Sequence, residues 1–356
     1  MSKKISELEA FWLGIAVILP TIVMTAPNIV IESCAGLALV PMIVAGTVMG
    51  LLNHLFLTLS CKFSNKSIVD DSKDIFGVLL GKIILVPYIS ILLITNLFLL
   101  VFSTGYIQFV MEEAPVVSMW VAISILVGYL SYSGIEVIAR SNTIGSCLLL
   151  IGIVSILLTT PLVATVNLDN LKPLIFNFKK VIAGSLYPAR LFFYHSVVLV
   201  VLKPYFSKEK GAIKAIGLSN LVVQIVSSIL VILLVAILGK KLAILLNFSF
   251  HDISDLSLGG VEVITFIIWI IGNILKIGIF NFATVQLIAD FFELKDYRRI
   301  VFSFTFFILA LTVYSSDIRL PGSDTKYFVI GALLTVSLPT ILLLTLAYAL
   351  ANRKKD

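Results

Sequence analysis

The chain has 356 residues, of which 59% are hydrophobic and only 13% are charged. Soluble domains carry about 45–50% apolar and about 25% charged residues, so this composition excludes a water-soluble globular protein and indicates an integral membrane protein. The net charge of +6 does not require nucleic-acid binding, because the distribution of the cations along the chain has another explanation.

The predicted elements are transmembrane helices, each of which needs about 20 predominantly apolar residues. Cutting the sequence at every charged residue leaves long uncharged stretches, and two further spans follow if one internal cation is accepted in each. In chain order the ten predicted spans are 10–31, 33–61, 83–111, 114–135, 141–168, 181–202, 215–239, 263–289, 300–316 and 327–352. The internal cations are Arg190 in span 6 and Lys276 in span 8.

Ten spans place both termini on the same side of the membrane. If that side is the cytoplasm, the inner segments carry seventeen Lys and Arg residues and the outer segments carry seven. The positive-inside rule favours this orientation. We therefore predict a multi-pass protein of the cell membrane with cytoplasmic N- and C-termini, in contact with the lipid bilayer and with no nucleic-acid partner.

Spans 1 and 6 are predicted to be interrupted in the membrane. Span 1 contains Pro20 and Pro27, and span 6 contains Gly184, Ser185 and Pro188 close together. Proline removes a backbone donor and disturbs the preceding turn. Because these spans begin two five-span halves of opposite orientation, their breaks are typical of an inverted-repeat transporter with its site at the midplane. Ordinary proline kinks remain the alternative interpretation.

We accordingly predict an all-α membrane protein with ten transmembrane helices in a five-plus-five inverted repeat (LeuT-like), in which spans 1 and 6 are discontinuous. Residues 1–356 form a single transmembrane domain. Repeat one covers about 8–165, with spans 1–5, and repeat two covers about 181–352, with spans 6–10.

Several segments in order resemble one family across nearly the whole chain. They are KISELEAFWLGI before span 1, YSGIEVIARSN after span 4, LKPLIFNFKKVIAGSLYPA entering span 6, LKIGIFNFATVQLIADFFELKDYRRI through span 8, and the basic end ANRKKD. The chain resembles the spore germination permeases, the B subunits of endospore germinant receptors, within the amino acid–polyamine–cation transporter superfamily. The resemblance implies a subunit that senses a small germinant, often an amino acid. It also implies partners, an A subunit and a lipoprotein C subunit, and the inner membrane of the spore.

Lys276 is the charge that the span pattern leaves unexplained. Thirteen uncharged residues lie on each side of it, which is about 20 Å of helix, too far for its ammonium to reach water. Charges at this depth are costly and are candidates for function. Two interpretations are open: Lys276 replaces a coupling cation or meets a ligand carboxylate, or it is a structural pin on the carbonyls of a broken helix.

The predicted ligand site lies at the midplane between the breaks of spans 1 and 6 and is lined by spans 3 and 8. Its ligand-binding residues are predicted to be Thr21, Thr25, Ala26, Pro27, Tyr88, Asn96, Gly184, Ser185, Tyr187, Pro188, Asn273 and Lys276. Glu136 and Arg140, at i and i+4, are expected to fix the corner between spans 4 and 5. Arg190 is assigned a structural role near the outer water boundary, with carboxylate binding as the alternative.

No enzyme motif such as HExxH or GxSxG occurs, so we predict a protein that is not an enzyme. The three cysteines and three histidines are scattered, and we predict no metal site and no cofactor. Three functions stay open: a germinant-binding receptor subunit, an active amino-acid or cation secondary transporter, and an ion channel gated by partner subunits.

Overall fold

The computed structural model describes residues 5–246, 248–259, 261–317 and 347. These residues are almost entirely helical, and the one strand-like contact among them is a backbone bridge between Ile5 and Phe206. The helices are α1 Glu7–Thr25, α2 Pro27–Cys34, α3 Leu39–Phe63, α4 Ile68–Phe76, α5 Val78–Val110, α6 Val116–Ser133, α7 Ile135–Val163, α8 Phe178–Leu199, α9 Glu209–Leu245, α10 Ser249–Asp255, α11 Val261–Phe291 and α12 Arg298–Asp317.

Seven of the described helices are long and apolar enough to cross a membrane, namely α1, α3, α5, α6, α7, α9 and α11. Helices α8 and α12 coincide with predicted spans 6 and 9. Predicted span 10, residues 327–352, lies outside the described residues. An all-helical membrane protein is therefore observed, while the count of ten spans stays a prediction.

Span 1 is divided into two helices at the predicted position, but the backbone there is only kinked. Helix α1 ends at Thr25 and α2 begins at Pro27. Ala26 between them keeps helical backbone angles, and its N–H still donates to the Ile22 carbonyl at 3.1 Å. The junction is therefore a proline kink that lacks one donor, and a fully unwound segment is not confirmed.

Span 6 is not interrupted where the sequence indicated. Helix α8 continues through Pro188, and every residue from Tyr187 to Leu199 is buried. Helical stability in proteins comes mainly from packing, so dense burial compensates for the single hydrogen bond that Pro188 removes. An unanticipated break lies instead at Gly239 in α9, where φ of 70° and ψ of 161° depart from helical values.

The long helices pack in two groups. Helices α1 and α3 each pack against both α8 and α9. Helices α5, α6, α11 and α12 contact one another, and α7 lies against α1 and α11. Each group contains corresponding spans of both predicted halves: spans 1, 2, 6 and 7 in the first, and spans 3, 4, 8 and 9 in the second. The division of the chain into two five-span repeats itself stays a prediction.

The cytoplasmic side, in the predicted orientation, is held by a buried ion pair. The Lys203 ammonium binds the Asp71 carboxylate of α4 and donates to the carbonyl and hydroxyl of Ser60, at 3.1 Å and 3.0 Å. Nearby, the Ile5 N–H donates to the Tyr205 carbonyl at 2.7 Å. These contacts tie the N-terminal segment, the end of α3 and α4 to the segment after α8.

Candidate ligand site between helices α1, α8 and α11

Lys276 lies on α11 in the interior of the protein, fully shielded from solvent. Its ammonium donates to the Thr21 hydroxyl of α1 at 2.5 Å. It also lies 5.5 Å from the ring centre of Tyr194 on α8 and 6.0 Å from that of Phe280. The ammonium makes no ion pair with a carboxylate among the described residues, so its charge is only partly compensated by one hydroxyl and two aromatic faces.

Arg190 is a second buried cation of the same region. Its side chain is only 3% exposed, and its guanidinium stacks on the Tyr187 ring at 4.8 Å. Its Nε and Nη1 have no hydrogen-bond partner within the part of the chain that the structure describes. The expectation that Arg190 lies at a water boundary is therefore wrong. Its positive charge instead acts on Lys276, and the two like charges repel.

Unpartnered polar atoms accompany the two cations. The Nδ1 of His195 and the Oδ1 of Asn273 have no partner among the described residues, and both side chains are buried. His195 donates from Nε2 to the Gly14 carbonyl at 2.8 Å, which fixes its ring. Buried polar atoms are nearly always hydrogen-bonded. This group of unpaired donors and acceptors therefore indicates a place where a polar ligand or water binds.

The kink of span 1 is supported from α11. The Trp269 indole donates to the Pro20 carbonyl at 2.8 Å, and the Thr25 hydroxyl donates to the Thr21 carbonyl at 2.8 Å. Ala26 and Pro27 are buried beside these contacts. The predicted residues of span 1 therefore hold the backbone that presents Thr21 to Lys276.

Helix α5 contributes contacts that fix the walls of this region. The Tyr88 hydroxyl donates to the Val197 carbonyl at 2.6 Å, and the Asn96 amide donates to the Thr284 hydroxyl at 2.8 Å. Asn273 donates to the hydroxyl of Ser103. Tyr88, Asn96 and Asn273 thus join α5 to α8 and α11, and only Asn273 is within a turn of Lys276.

The residues before Pro188 lie elsewhere. A side chain at Gly184 would meet Ser33 and Pro41 at 2.9 Å and 3.2 Å, so this glycine permits close packing of α8 on α2 and α3. The Ser185 hydroxyl donates to the Ile182 carbonyl of its own helix. The structure does not bring these two residues to Lys276, whereas Tyr187 stays connected to the region through Arg190.

The corner between spans 4 and 5 has the predicted ion pair. Arg140 and Glu136 are 2.6 Å apart at i and i+4 on α7. Arg298 at the start of α12 also donates to the Tyr132 carbonyl at 3.1 Å, just before that corner. These contacts lie at a helix end and agree with a structural role.

Aromatic side chains cluster on the side of the region that faces outward in the predicted orientation. The rings of Tyr106 and Trp269 are 4.4 Å apart, and Phe248 packs on Tyr106 at 5.0 Å. The Tyr106 hydroxyl also lies 3.1 Å from Nδ1 of His251 on α10. Lys276 is fully buried as well.

Sequence reasoning placed Arg190 at the outer water boundary, whereas its side chain is buried, and it did not include Tyr194 among the predicted site residues. The signal was present, because residues four apart lie on one helix face and Tyr187, Arg190 and Tyr194 follow that spacing. What could not be read was the depth of this face, since a cation two residues after a proline fits a helix end as well as a buried core.

Three solved transporter structures share the fold. MhsT in complex with L-phenylalanine has a TM-score of 0.68 and 14% identity over 97% of this chain and 88% of its own. MHP1, a nucleobase-cation-symport-1 family transporter in a closed conformation with bromovinylhydantoin bound, has a TM-score of 0.68 and 12% identity over 100% of this chain and 80% of its own. The manganese transporter of Eremococcus coleocola, in complex with an aromatic bis-isothiourea substituted compound, reaches 0.63 and 11% identity over 94% of this chain and 75% of its own.

These identities show the fold alone, which is the LeuT-like fold of amino acid–polyamine–cation type transporters. No protein with a curated function matches the sequence. The family model described as spore germination protein matches residues 4–319, nearly the whole chain. The chain therefore belongs to the spore germination permease family.

Proposed function

We propose that this chain is the ligand-binding membrane subunit of a spore germinant receptor, and that its ligand is a small nutrient with a carboxylate group, such as an amino acid. Family membership supports the role in germination, and the transporter-like fold supports a small-molecule site at the midplane. The proposal includes the partners implied by the resemblance, an A subunit and a lipoprotein C subunit, in the inner membrane of the spore.

The observation that carries the proposal is the pair of buried cations. Lys276 and Arg190 are shielded from water, and neither forms an ion pair within the described residues. An isolated buried charge is strongly unfavourable, and an anion between the two cations would remove this penalty. A carboxylate fits the guanidinium of Arg190 in a bidentate manner, while the Lys276 ammonium supplies a point charge.

An amino acid would also find acceptors for its ammonium group. Pro27 has no N–H, so the Val23 carbonyl four residues earlier lacks its usual helical donor. The unpartnered Asn273 Oδ1 is a further acceptor of the same region. The region thus offers cations for a carboxylate and oxygen acceptors for an ammonium group, as a zwitterionic ligand requires.

Binding at a closed site implies a change of state. The ligand would favour whichever conformation allows it to contact both cations, and it can shift the equilibrium only by its difference in affinity for the two states. In the proposed receptor, this shift passes to the partner subunits, and movement of solute across the membrane is not required.

Ligand-induced stabilisation tests the proposal. Purified protein is screened with amino acids by thermal shift, because a ligand that binds only the folded state raises its apparent stability. Lys276→Met and Arg190→Gln should each lose the shift, since truncating one partner of a buried charge contact costs roughly 2–5 kcal/mol of binding. Lys66→Met, which removes an exposed cation of the inner side, is the matched control and should retain it.

If no amino acid stabilises the wild type, or if the Lys276 and Arg190 variants respond as the control does, the midplane carboxylate site is wrong. Decarboxylated analogues supply a second check on the wild type. An amine that stabilises the protein as well as its parent amino acid would exclude the carboxylate as the recognised group.

The second candidate is an active secondary transporter of amino acids or cations. The likeness to transporters over nearly the whole chain favours it, and the fixed charge of Lys276 could replace a coupling cation. Uptake of labelled amino acid into liposomes that contain only this chain separates the two: accumulation supports transport, whereas binding without accumulation supports the receptor subunit. Ion-selective currents from the same liposomes would instead support the channel.

A further inference from the structure

The lysines of the outer side form two adjacent pairs that are far apart in sequence. Lys179 and Lys180 lie in the first turn of α8, and Lys240 and Lys241 directly follow the break at Gly239 in α9. With Lys172, they make up five of the seven cations assigned to the outer segments. The positive-inside rule gives no reason for such a concentration on this side.

The fold gathers one lysine of each pair at a single pocket of about 220 Å³. The polar side chains that line this outer pocket are those of Ser33, Asn170, Lys172, Asn177, Lys180 and Lys240. Lys179 and Lys241 do not line it. Lys180 and Lys240 therefore differ from their sequence neighbours of the same charge in that only they line the pocket.

The outer pocket has a net positive charge. None of its lining residues is Asp or Glu. Lys172 is paired at 2.9 Å with the adjacent Asp169, whereas Lys180 and Lys240 form no ion pair within the described part of the chain. Two free ammonium groups beside the Asn177 amide offer hydrogen-bond donors to an anion. The Ser33 hydroxyl donates to the Ile29 carbonyl at 3.0 Å and is left as an acceptor.

The walls of the pocket are fixed before any ligand binds. A side chain at Gly36 would lie 1.7 Å from the Leu171 carbonyl oxygen, so only glycine permits this contact. The Asn170 amide donates to the Ala236 carbonyl at 3.0 Å, and the Asn167 N–H donates to the same oxygen at 3.0 Å. Segment 167–172 is thus fastened to α9 just before its break at Gly239, beside the pocket that Lys240 lines.

Apolar side chains flank the pocket outside the spanning helices. Leu174, Ile175, Phe176 and Phe178 are 60–71% exposed, and Leu245 beyond the second lysine pair is 78% exposed. Large apolar side chains next to lysines are typical of segments that lie in the membrane interface, where the ammonium groups are level with lipid phosphates. This flank indicates that the anion comes from the bilayer.

We propose that the outer pocket binds the headgroup phosphate of an anionic phospholipid of the outer leaflet. Lys180 and Lys240 contact the phosphate, the Ser33 hydroxyl and the side-chain amide of Asn177 contact the remaining polar atoms of the headgroup, and the apolar flank contacts the acyl chains. The site lies between the ends of α2, α8 and α9. A lipid bound there would contact two helices of the group formed by α1, α3, α8 and α9, and one of the two, α8, carries Arg190.

The adjacent lysine pairs provide matched variants for the test. Lys180→Gln/Lys240→Gln and Lys179→Gln/Lys241→Gln remove the same charge, and only the first pair lines the pocket. Retention of added phosphatidylglycerol by the detergent-solubilised protein is measured by native mass spectrometry, with phosphatidylcholine as the zwitterionic comparison. We expect the pocket variant to bind phosphatidylglycerol about tenfold or more weakly, and the control variant to bind it as the wild type does.

Three outcomes would overturn the proposal. Equal losses in both double variants would show diffuse surface attraction, and equal retention by all three proteins would show that the pocket is not used. Inorganic phosphate is the third arm: if it displaces phosphatidylglycerol from the wild type at equal concentration, the site takes a soluble anion and the lipid assignment is wrong. Unaltered melting temperatures of the lipid-free variants confirm that folding is not the cause of any loss.

Discussion

The contact between Lys276 and Thr21 has two interpretations, which predict opposite changes in the free energy of unfolding when Lys276 is replaced. If the ammonium is a structural pin, removing it destabilises the protein. If it is held for a ligand, the ligand-free protein bears an uncompensated charge, and an apolar side chain of similar length relieves that penalty. We expect Lys276→Met to leave the free energy of unfolding unchanged or to raise it, as measured by denaturation in detergent without ligand.

Thr21→Val gives the complementary measurement. It keeps the shape of the side chain but takes away the hydroxyl that accepts from Lys276 at 2.5 Å, so the buried ammonium loses its hydrogen bond. We expect a destabilisation of about 1–3 kcal/mol, and no such cost in the Lys276→Met background. If Lys276→Met alone is as destabilising as Thr21→Val, the lysine is a structural pin and the carboxylate argument fails.

At this scale the sequence identified Lys276 because charge spacing alone shows its depth. It could not identify Arg190 in the same way. Arg190 lies two residues after Pro188, where a helix break would expose it, and only the tertiary structure shows that 3% of its surface is exposed. Partners from distant helices, such as Ser103 for Asn273, were also beyond reach because no periodicity on one helix specifies its neighbour.

Among the elements, α4 is joined to the segment after α8 by one buried ion pair. The Lys203 and Asp71 side chains are 1% and 0% exposed, and removing one member leaves the other charged and buried. We expect Lys203→Met to destabilise the protein by about 3–5 kcal/mol in detergent denaturation, because a buried pair that loses one partner pays the desolvation of the survivor. Lys203→Met/Asp71→Leu should recover much of this loss.

The exposed pair of the same helix is the control. Lys66 and Asp74 are 3.2 Å apart with 61% and 50% of their side chains exposed, so Lys66→Met should change the free energy of unfolding by about 1 kcal/mol or less. Similar small losses for both lysine variants would show that water reaches the Lys203 pair and that α4 is not held by it.

The two proline-containing spans show what an element's sequence leaves open. Proline predicts a missing donor at both Pro27 and Pro188, yet α1 divides from α2 while α8 continues. Burial does not distinguish the two sites, since α1 is buried from Leu13 to Met24 just as α8 is from Tyr187 to Leu199. A local pattern therefore specifies where a hydrogen bond is absent, but it does not specify whether the helix ends there.

For the whole molecule, composition and charge spacing were sufficient for an all-helical membrane protein and for the positions of its long helices. The packing of the spans into two groups was not predicted, because the sequence shows no contact between one span and another. The aromatic cluster of Tyr106, Trp269 and Phe248 was not predicted, because Phe248 and Tyr106 are distant in the chain and belong to different elements.

The orientation in the membrane can be measured with the native cysteines. Cys34 lines the outer pocket, Cys61 is buried, and Cys147 lies within α7. With cytoplasmic termini, a membrane-impermeant maleimide should label Cys34 in intact cells, and Cys34→Ser should abolish this labelling.

Burial raises the pKa of the Cys34 thiol, and the nearby Lys180 charge lowers it in part. Since the thiolate reacts, labelling should accelerate towards alkaline pH over a higher range than for an exposed thiol.

An introduced cysteine on the other side completes the experiment. Lys66→Cys, in a background where the three native cysteines are serine, places a thiol at an exposed position of the predicted inner side. It should be labelled only after the cells are permeabilised. Labelling of Lys66→Cys but not of Cys34 in intact cells would invert the topology. The lysine-lined pocket would then face the cytoplasm, the seventeen cations would lie outside, and the positive-inside argument would fail together with the outer-leaflet lipid site.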